Sequence, residues 1–162
     1  MIRWIAALAA LSMAAVTFAQ GQAPATQPAQ DRATLEKQLE QTLTNSTLVG
    51  RFTVDGSNAQ PKEDRYSLGL VQRKNGDWWL ITAKIGNREG SLPLMLPIQW
   101  AGDTPVITVT NFGIPGMGSY TARVVIYGDH YAGFWSAGPT HQGTMFGRIE
   151  HTPMTQPAGE GK

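Results

Sequence analysis

After Asn45 the chain alternates apolar and polar residues with period two, in short runs separated by glycine-bearing turns at nearly regular intervals. A period of two puts every second side chain on the same face, which a strand can bury and a helix cannot. Eight candidate strands follow: Leu48–Asp55, Arg65–Arg73, Trp78–Ile85, Ser91–Trp100, Val106–Asn111, Ser119–Tyr127, His130–Ser136 and Thr144–Glu150. The expectation is an all-β fold, an eight-stranded antiparallel up-and-down barrel or a barrel-like sandwich. The 18 glycines and 10 prolines suit many tight turns.

Two turns fix a register. Asn75-Gly76 suits a two-residue type I′ hairpin, in which both central residues need positive φ. Lys74 then faces Asp77, Leu70 faces Ile81, Leu68 faces Ala83 and Tyr66 faces Ile85, with Trp79 on the same inner face. Gly128-Asp129 gives a second hairpin: Tyr127 faces His130, Ile126 faces Tyr131, Val124 faces Gly133 and Ala122 faces Trp135. Alternation and turn geometry are separate inputs, and they agree. In the fourth strand, Pro93 and Pro97 have the same parity, so both missing amide protons lie on one side. That side cannot sustain a full ladder, and the strand is either a sheet edge or the place where a barrel parts.

Before the strands comes a short helix. Leu35, Leu39 and Leu43 share one face, Glu36, Lys37 and Glu40 take the other, and Asp31 is placed to cap the first turn. A helix this short is marginal in water alone and needs packing. It is expected to cover the outer face carrying Val125, Tyr127 and Phe134, which is less polar than a solvated face should be, the alternative being an exposed contact patch there.

The N-terminus reads as an address. Arg3 precedes an apolar run from Trp4 to Phe18, and Thr17-Phe18-Ala19 places small residues where a signal peptidase reads. Residues 1–19 are expected to be a secretory signal peptide, the alternative being an uncleaved anchor helix. Residues 20–30, rich in Gln, Ala and Pro, are expected to be a flexible linker, residues 31–151 the barrel domain with its helix, and residues 152–162 a flexible tail. With no cysteine there is no disulfide and no lipoprotein anchor at the cut. The expected location is the periplasm or the cell exterior, with no stable membrane anchor. Removing Arg3 takes 13 basic residues to 12 against 12 acidic ones, and no basic face advertises nucleic acid.

Catalytic signatures do not emerge. His130, His141 and His151 match no zinc spacing. There is no Gly-x-Ser-x-Gly elbow, and no spacing singles out a pair among Asp55, Asp64, Asp103, Asp129 and Glu150. A cluster of His141, Glu150 and His151 in one cleft is the arrangement an enzyme would need. No cofactor and no metal site are expected. The remaining signal is aromatic. Inward parity makes Tyr66, Trp79, Trp100, Tyr120 and Trp135 candidate cavity lining, and outward Trp78 and Phe134 a candidate partner surface. Ile114 and Met117, in the loop before the sixth strand, are placed to shade a barrel mouth.

A short helix followed by Gly50-Arg51-Phe52 on the first of eight strands resembles the lipocalin and avidin type of barrel, with Phe52 where those families carry tryptophan. Tyr131-Ala132-Gly133-Phe134-Trp135 and Gly143-Thr144-Met145-Phe146-Gly147 look like the closing strands of such calycin barrels. The same span is similar to a group of small secreted bacterial proteins of unknown function. The resemblance implies a central cavity with a small apolar ligand, and an arginine, here Arg148, packed across Phe52. The functional expectation is an exported, non-enzymatic binding module for a small apolar or amphipathic ligand. The alternative is a structural or protein-interaction module with a filled core and an outward aromatic face. A packed interior with no pocket of roughly 300 Å³ would count against the first.

Overall fold

The computed structural model describes residues 31–151; the expected signal peptide, linker and tail lie outside the described residues. Helix α1 (Arg32–Leu43) leads into β1 (Ser46–Phe52), β2 (Lys62–Asn75), β3 (Trp78–Ile85), β4 (Leu92–Ala101), β5 (Thr104–Ile114), β6 (Gly118–Tyr127), β7 (His130–Ala137) and β8 (His141–His151). Each strand pairs antiparallel with the next, and β8 pairs with β1, so the eight strands close into a barrel. The choice between barrel and sandwich is thereby made.

The β6–β7 hairpin has the expected register from Tyr127↔His130 through Ala122↔Trp135. The β2–β3 hairpin departs from it. Its upper pairs, Tyr66↔Ile85 and Leu68↔Ala83, stand as expected, but Ile81 faces Val71 rather than Leu70. Gly69 and Leu70 together oppose Thr82, which makes a bulge. The Thr82 hydroxyl fills it, accepting from the Leu70 amide at 2.7 Å. Val71 therefore turns inward at 3% exposure, while Leu70 is 49% exposed. The tip also differs, because Asn75 pairs with Trp78 and only Gly76 takes positive φ. A second bulge in β5 uses the same device: the Asn111 amide donates to the Thr121 hydroxyl at 3.0 Å. It puts Phe112 in phase with Val109, three residues earlier, on the inner face.

The three tight turns at the helix end of the barrel are alike. Gly76-Asp77, Gly102-Asp103 and Gly128-Asp129 begin at positions 76, 102 and 128, a repeat of 26 residues. Their glycines have φ of 53°, 67° and 58°, the left-handed region that a side chain resists. The Asp77 and Asp129 carbonyls then accept from the Ile98 and Ile149 amides at 2.8 and 2.7 Å, tying two turns to neighbouring strands.

The Ile98 bond also explains β4. Its amide points toward β3, so by alternation the missing protons of Pro93 and Pro97 fall on the β5 side. There the β4–β5 ladder runs only from Ala101↔Thr104 to Ile98↔Ile107 and then stops. The barrel parts along the upper halves of these two strands.

Helix α1 seats on the lower end of the barrel, not on the outer face of β6 and β7. Leu35, Leu39 and Leu43 are buried, and Leu39 and Leu43 join Leu48, Val71 and Trp79 in the core. Glu36 pairs with the Arg73 guanidinium at 3.0 Å, and Glu40 accepts from the Arg73 amide at 2.8 Å. Arg32 lies 4.7 Å above the Trp100 ring. Asp31 holds the N-cap position, but its side chain makes no cap bond; its carbonyl accepts from Leu35 at 3.1 Å. The face assigned to the helix stays uncovered, with Tyr127 at 76% and Phe134 at 69% exposure.

Candidate functional site

Inward side chains divide the barrel into two halves. Near α1 they are tightly buried: Trp79, Ile98, Ile126 and Ile149 pack in one core with Leu39 and Leu43 of the helix. Toward the other end, Ile85, Phe112, Ile114, Met117, Tyr120 and Trp135 are only half-buried. Between them lies a cavity of about 200 Å³ with an almost wholly apolar lining. It is closed below by Leu43 and Ile126 and bordered above by Ile114 and Met117, as their place in the sequence suggests. Leu94 and Leu96 of β4 and Ile107 and Val109 of β5 line it where the wall parts. The interior is not solid, but it is smaller than the roughly 300 Å³ at which pockets for drug-sized ligands begin. An apolar cavity of roughly 150 Å³ stays dry and takes one benzene-sized molecule.

The five aromatics proposed to line a cavity separate. Tyr66, Tyr120 and Trp135 do line it. Trp79, at 0% exposure, is core filler beneath it. Trp100 lies at the closed end under Arg32, beside the groove that Leu35 and Leu39 border. Inward parity sets the face but not the level along the barrel axis, and level decides between core and cavity. Trp135 is held firmly: its ring meets Phe52 edge-on at 5.6 Å and 86°, and its indole N–H donates to the Thr53 carbonyl at 3.2 Å. Phe52 thus pairs with Trp135 rather than with Arg148. Arg148 is exposed and donates to Asp129 at 2.7 Å, an ion pair that lowers the Asp129 pKa.

One polar cluster interrupts the apolar interior. Asp64 follows the same parity as Tyr66 and sits opposite Gly50 on β1. The Tyr66 hydroxyl donates to Asp64 Oδ2, and the Arg65 amide donates to Oδ1 at 3.0 Å. Burial raises the Asp64 pKa, with the Tyr66 hydrogen bond opposing, and burial together with the Asp64 charge raises that of Tyr66. Tyr131 lies across from Gly147, and its ring borders the cavity. A Cβ on Gly147 would lie 2.8 Å from the Tyr131 ring, and one on Gly50 would run into the Tyr131 hydroxyl. That hydroxyl is buried and has no hydrogen-bond partner. Burial, then the Asp64 charge, pushes the Tyr131 pKa up to about 12. The sequence reading starts the second strand at Arg65 and so leaves Asp64 outside it. Carrying the parity of Tyr66 back by two residues would have brought Asp64 inside.

Outside the barrel, Trp78 (48% exposed) stands on β3 and Phe134 on β7, four strands apart in an eight-stranded ring and so on opposite walls. Val125, Ala132 and Phe146 form one row across β6, β7 and β8, and Phe134 stands in the next row. His141 and His151 begin and end β8, so they do not meet in one cleft. Among the described residues no group of three or more His, Asp or Glu is arranged to hold a metal ion. Comparison with known proteins finds no matching family model, no matching curated protein and no matching solved structure.

Proposed function

We propose that this chain is an exported, lipocalin-like binding protein that takes one small apolar or amphipathic molecule into its barrel, without chemistry. The observation that carries this reading is the cavity of about 200 Å³, almost wholly apolar in its lining and closed at one end by Leu43 of α1. Removing apolar surface from water gives about 25 cal/mol per Å², so such a lining favours any apolar molecule that fits. Its volume selects a molecule somewhat larger than benzene and smaller than a drug-sized ligand. The apolar run before residue 19 supports export.

Titration of the full chain with toluene, followed by calorimetry, tests the reading. One saturable site is expected, and Ala122→Leu, which fills the cavity from β6, should abolish it. Non-saturable uptake, or binding equal in the wild type and Ala122→Leu, contradicts it.

The second reading, a protein-interaction module, has its own observation: Val125, Tyr127, Phe134 and Phe146 are all exposed on one wall. Its test is sedimentation of the full chain across a concentration series. Self-association that disappears in Phe134→Ser favours it, and a monomer at every concentration removes self-association from it.

A further inference from the structure

The upper wall of the barrel is not bonded equally all round. The β3–β4 ladder runs to Ala83↔Leu92 and the β5–β6 ladder to Ile114↔Gly118, so both hairpins are paired to their tops. Between them the β4–β5 ladder ends at Ile98↔Ile107, and residues 92–97 face residues 108–114 across a seam without one. Pro93 and Pro97 bring no amide proton to this seam, so it cannot zip further. The upper part of β5 is tied to the other side instead. The Arg123 guanidinium of β6 donates to the Val109 carbonyl, and to the Thr110 hydroxyl at 2.9 Å.

Above the last rung, side chains span the seam. The Thr108 hydroxyl donates to the Pro97 carbonyl at 3.5 Å. Arg88, in the loop between β3 and β4, donates from its guanidinium to the Pro115 carbonyl, in the loop between β5 and β6, at 3.3 Å. Gly116, with φ of 70°, leaves room for this strap: a Cβ there would lie 2.7 Å from Arg88 Nη2. Both lips of the seam line the cavity, through Leu94 and Leu96 on one side and Ile107 and Val109 on the other.

Resting on the cavity reading above, we infer that the β4–β5 seam is an expansion joint, and that Arg88, which straps it, sets the girth of the widest ligand the barrel takes. Widening the wall elsewhere breaks main-chain hydrogen bonds and leaves their groups unpaired. Widening it here parts two apolar lips and stretches two side-chain bonds. The two hairpins stay joined below by the rungs from Ile98↔Ile107 to Ala101↔Thr104, about which they swing. A molecule that fits the closed cavity meets no resistance from the strap. A wider one must part the lips and break the Arg88 bond. Arg88 itself does not border the cavity, so it acts on size and not on contact.

Calorimetric titration of the full chain with toluene, mesitylene and 1,3,5-triethylbenzene tests this, since the three share a ring and differ in girth. Arg88→Ala should bind the widest of them about fivefold more tightly than wild type does, the size expected for one net hydrogen bond, and toluene equally. Pro93→Val combined with Pro97→Val, which returns two amide protons to the seam, should bind the widest at least about fivefold more weakly and toluene again equally. An affinity ratio of the widest ligand bound to toluene that is the same in all three proteins overturns the inference and leaves the cavity reading standing. So does an equal loss for every ligand in Arg88→Ala, which would make the strap a support of the fold alone. Binding of none of the three by any of the proteins overturns both.

Discussion

The two ends of this barrel are built from the same strands and do different things. At the lower end, three Gly-Asp turns shorten the connections and α1 lays three leucines over the opening, so Trp79 and Ile98 are wholly buried. At the upper end, the β4–β5 ladder stops at Ile98↔Ile107, and Phe112, Ile114 and Met117 stay half-buried around the cavity. The lower end resembles a protein interior; the upper end keeps apolar side chains without filling the space between them. Stability should therefore be concentrated below and binding above.

Substitutions at the two ends break or sharpen that contrast. Leu43→Ala removes a fully buried plug and should cost about 2–5 kcal/mol in denaturant unfolding. Met117→Ala at the mouth should cost under about 1 kcal/mol, since its side chain already faces open space. Equal costs would mean that the ends do not differ. Trp79→Ala below and Trp135→Ala above repeat the test with a matched side chain. The lower one should be the costlier, at about 3–5 kcal/mol.

Two aspartates extend the contrast to pH, with smaller effects of opposite sign. Burial raises the Asp64 pKa, so above the ordinary carboxylate value the unfolded chain has lost a proton that the folded chain keeps. Stability should fall as pH rises from about 4 through the raised value, and Asp64→Asn should remove that slope. The Asp129 pKa is lowered by Arg148, so its contribution is present above the ordinary value and is lost as pH falls. Asp129→Asn should flatten only this acid-side loss, and as both partners are exposed it is the smallest effect of the set. Thermal melts of wild type and both variants from pH 2 to 8 would read both slopes.

What could be read from the sequence depended on how local its cause was. Alternation and the Gly128-Asp129 turn are local, and they gave eight strands and the whole β6–β7 register. The same-parity prolines gave the break in the wall. The β2 bulge at Gly69-Leu70 was hidden because it depends on Thr82, on the opposite strand, supplying an acceptor. Docking of α1 below, instead of against Phe134, depends on Arg73 at the far end of β2, which both Glu36 and Glu40 reach. In the cavity, parity brought in Tyr66, Tyr120 and Trp135 but also Trp79 and Trp100, since nothing local in a strand reports height along a barrel. Asp64 was within reach of the Tyr66 parity, but the unpaired Tyr131 hydroxyl became visible only once β1 and β8 had brought Gly50 and Gly147 together.

The most direct test of the account is where a small apolar molecule sits. Nuclear Overhauser contacts from bound toluene to the assigned side chains of the full chain would report it. The account predicts contacts to Phe112, Tyr120 and Trp135 in the upper half and none to Trp79. Contacts to Phe134 and Phe146 on the outer wall, or none to any interior side chain, would contradict it.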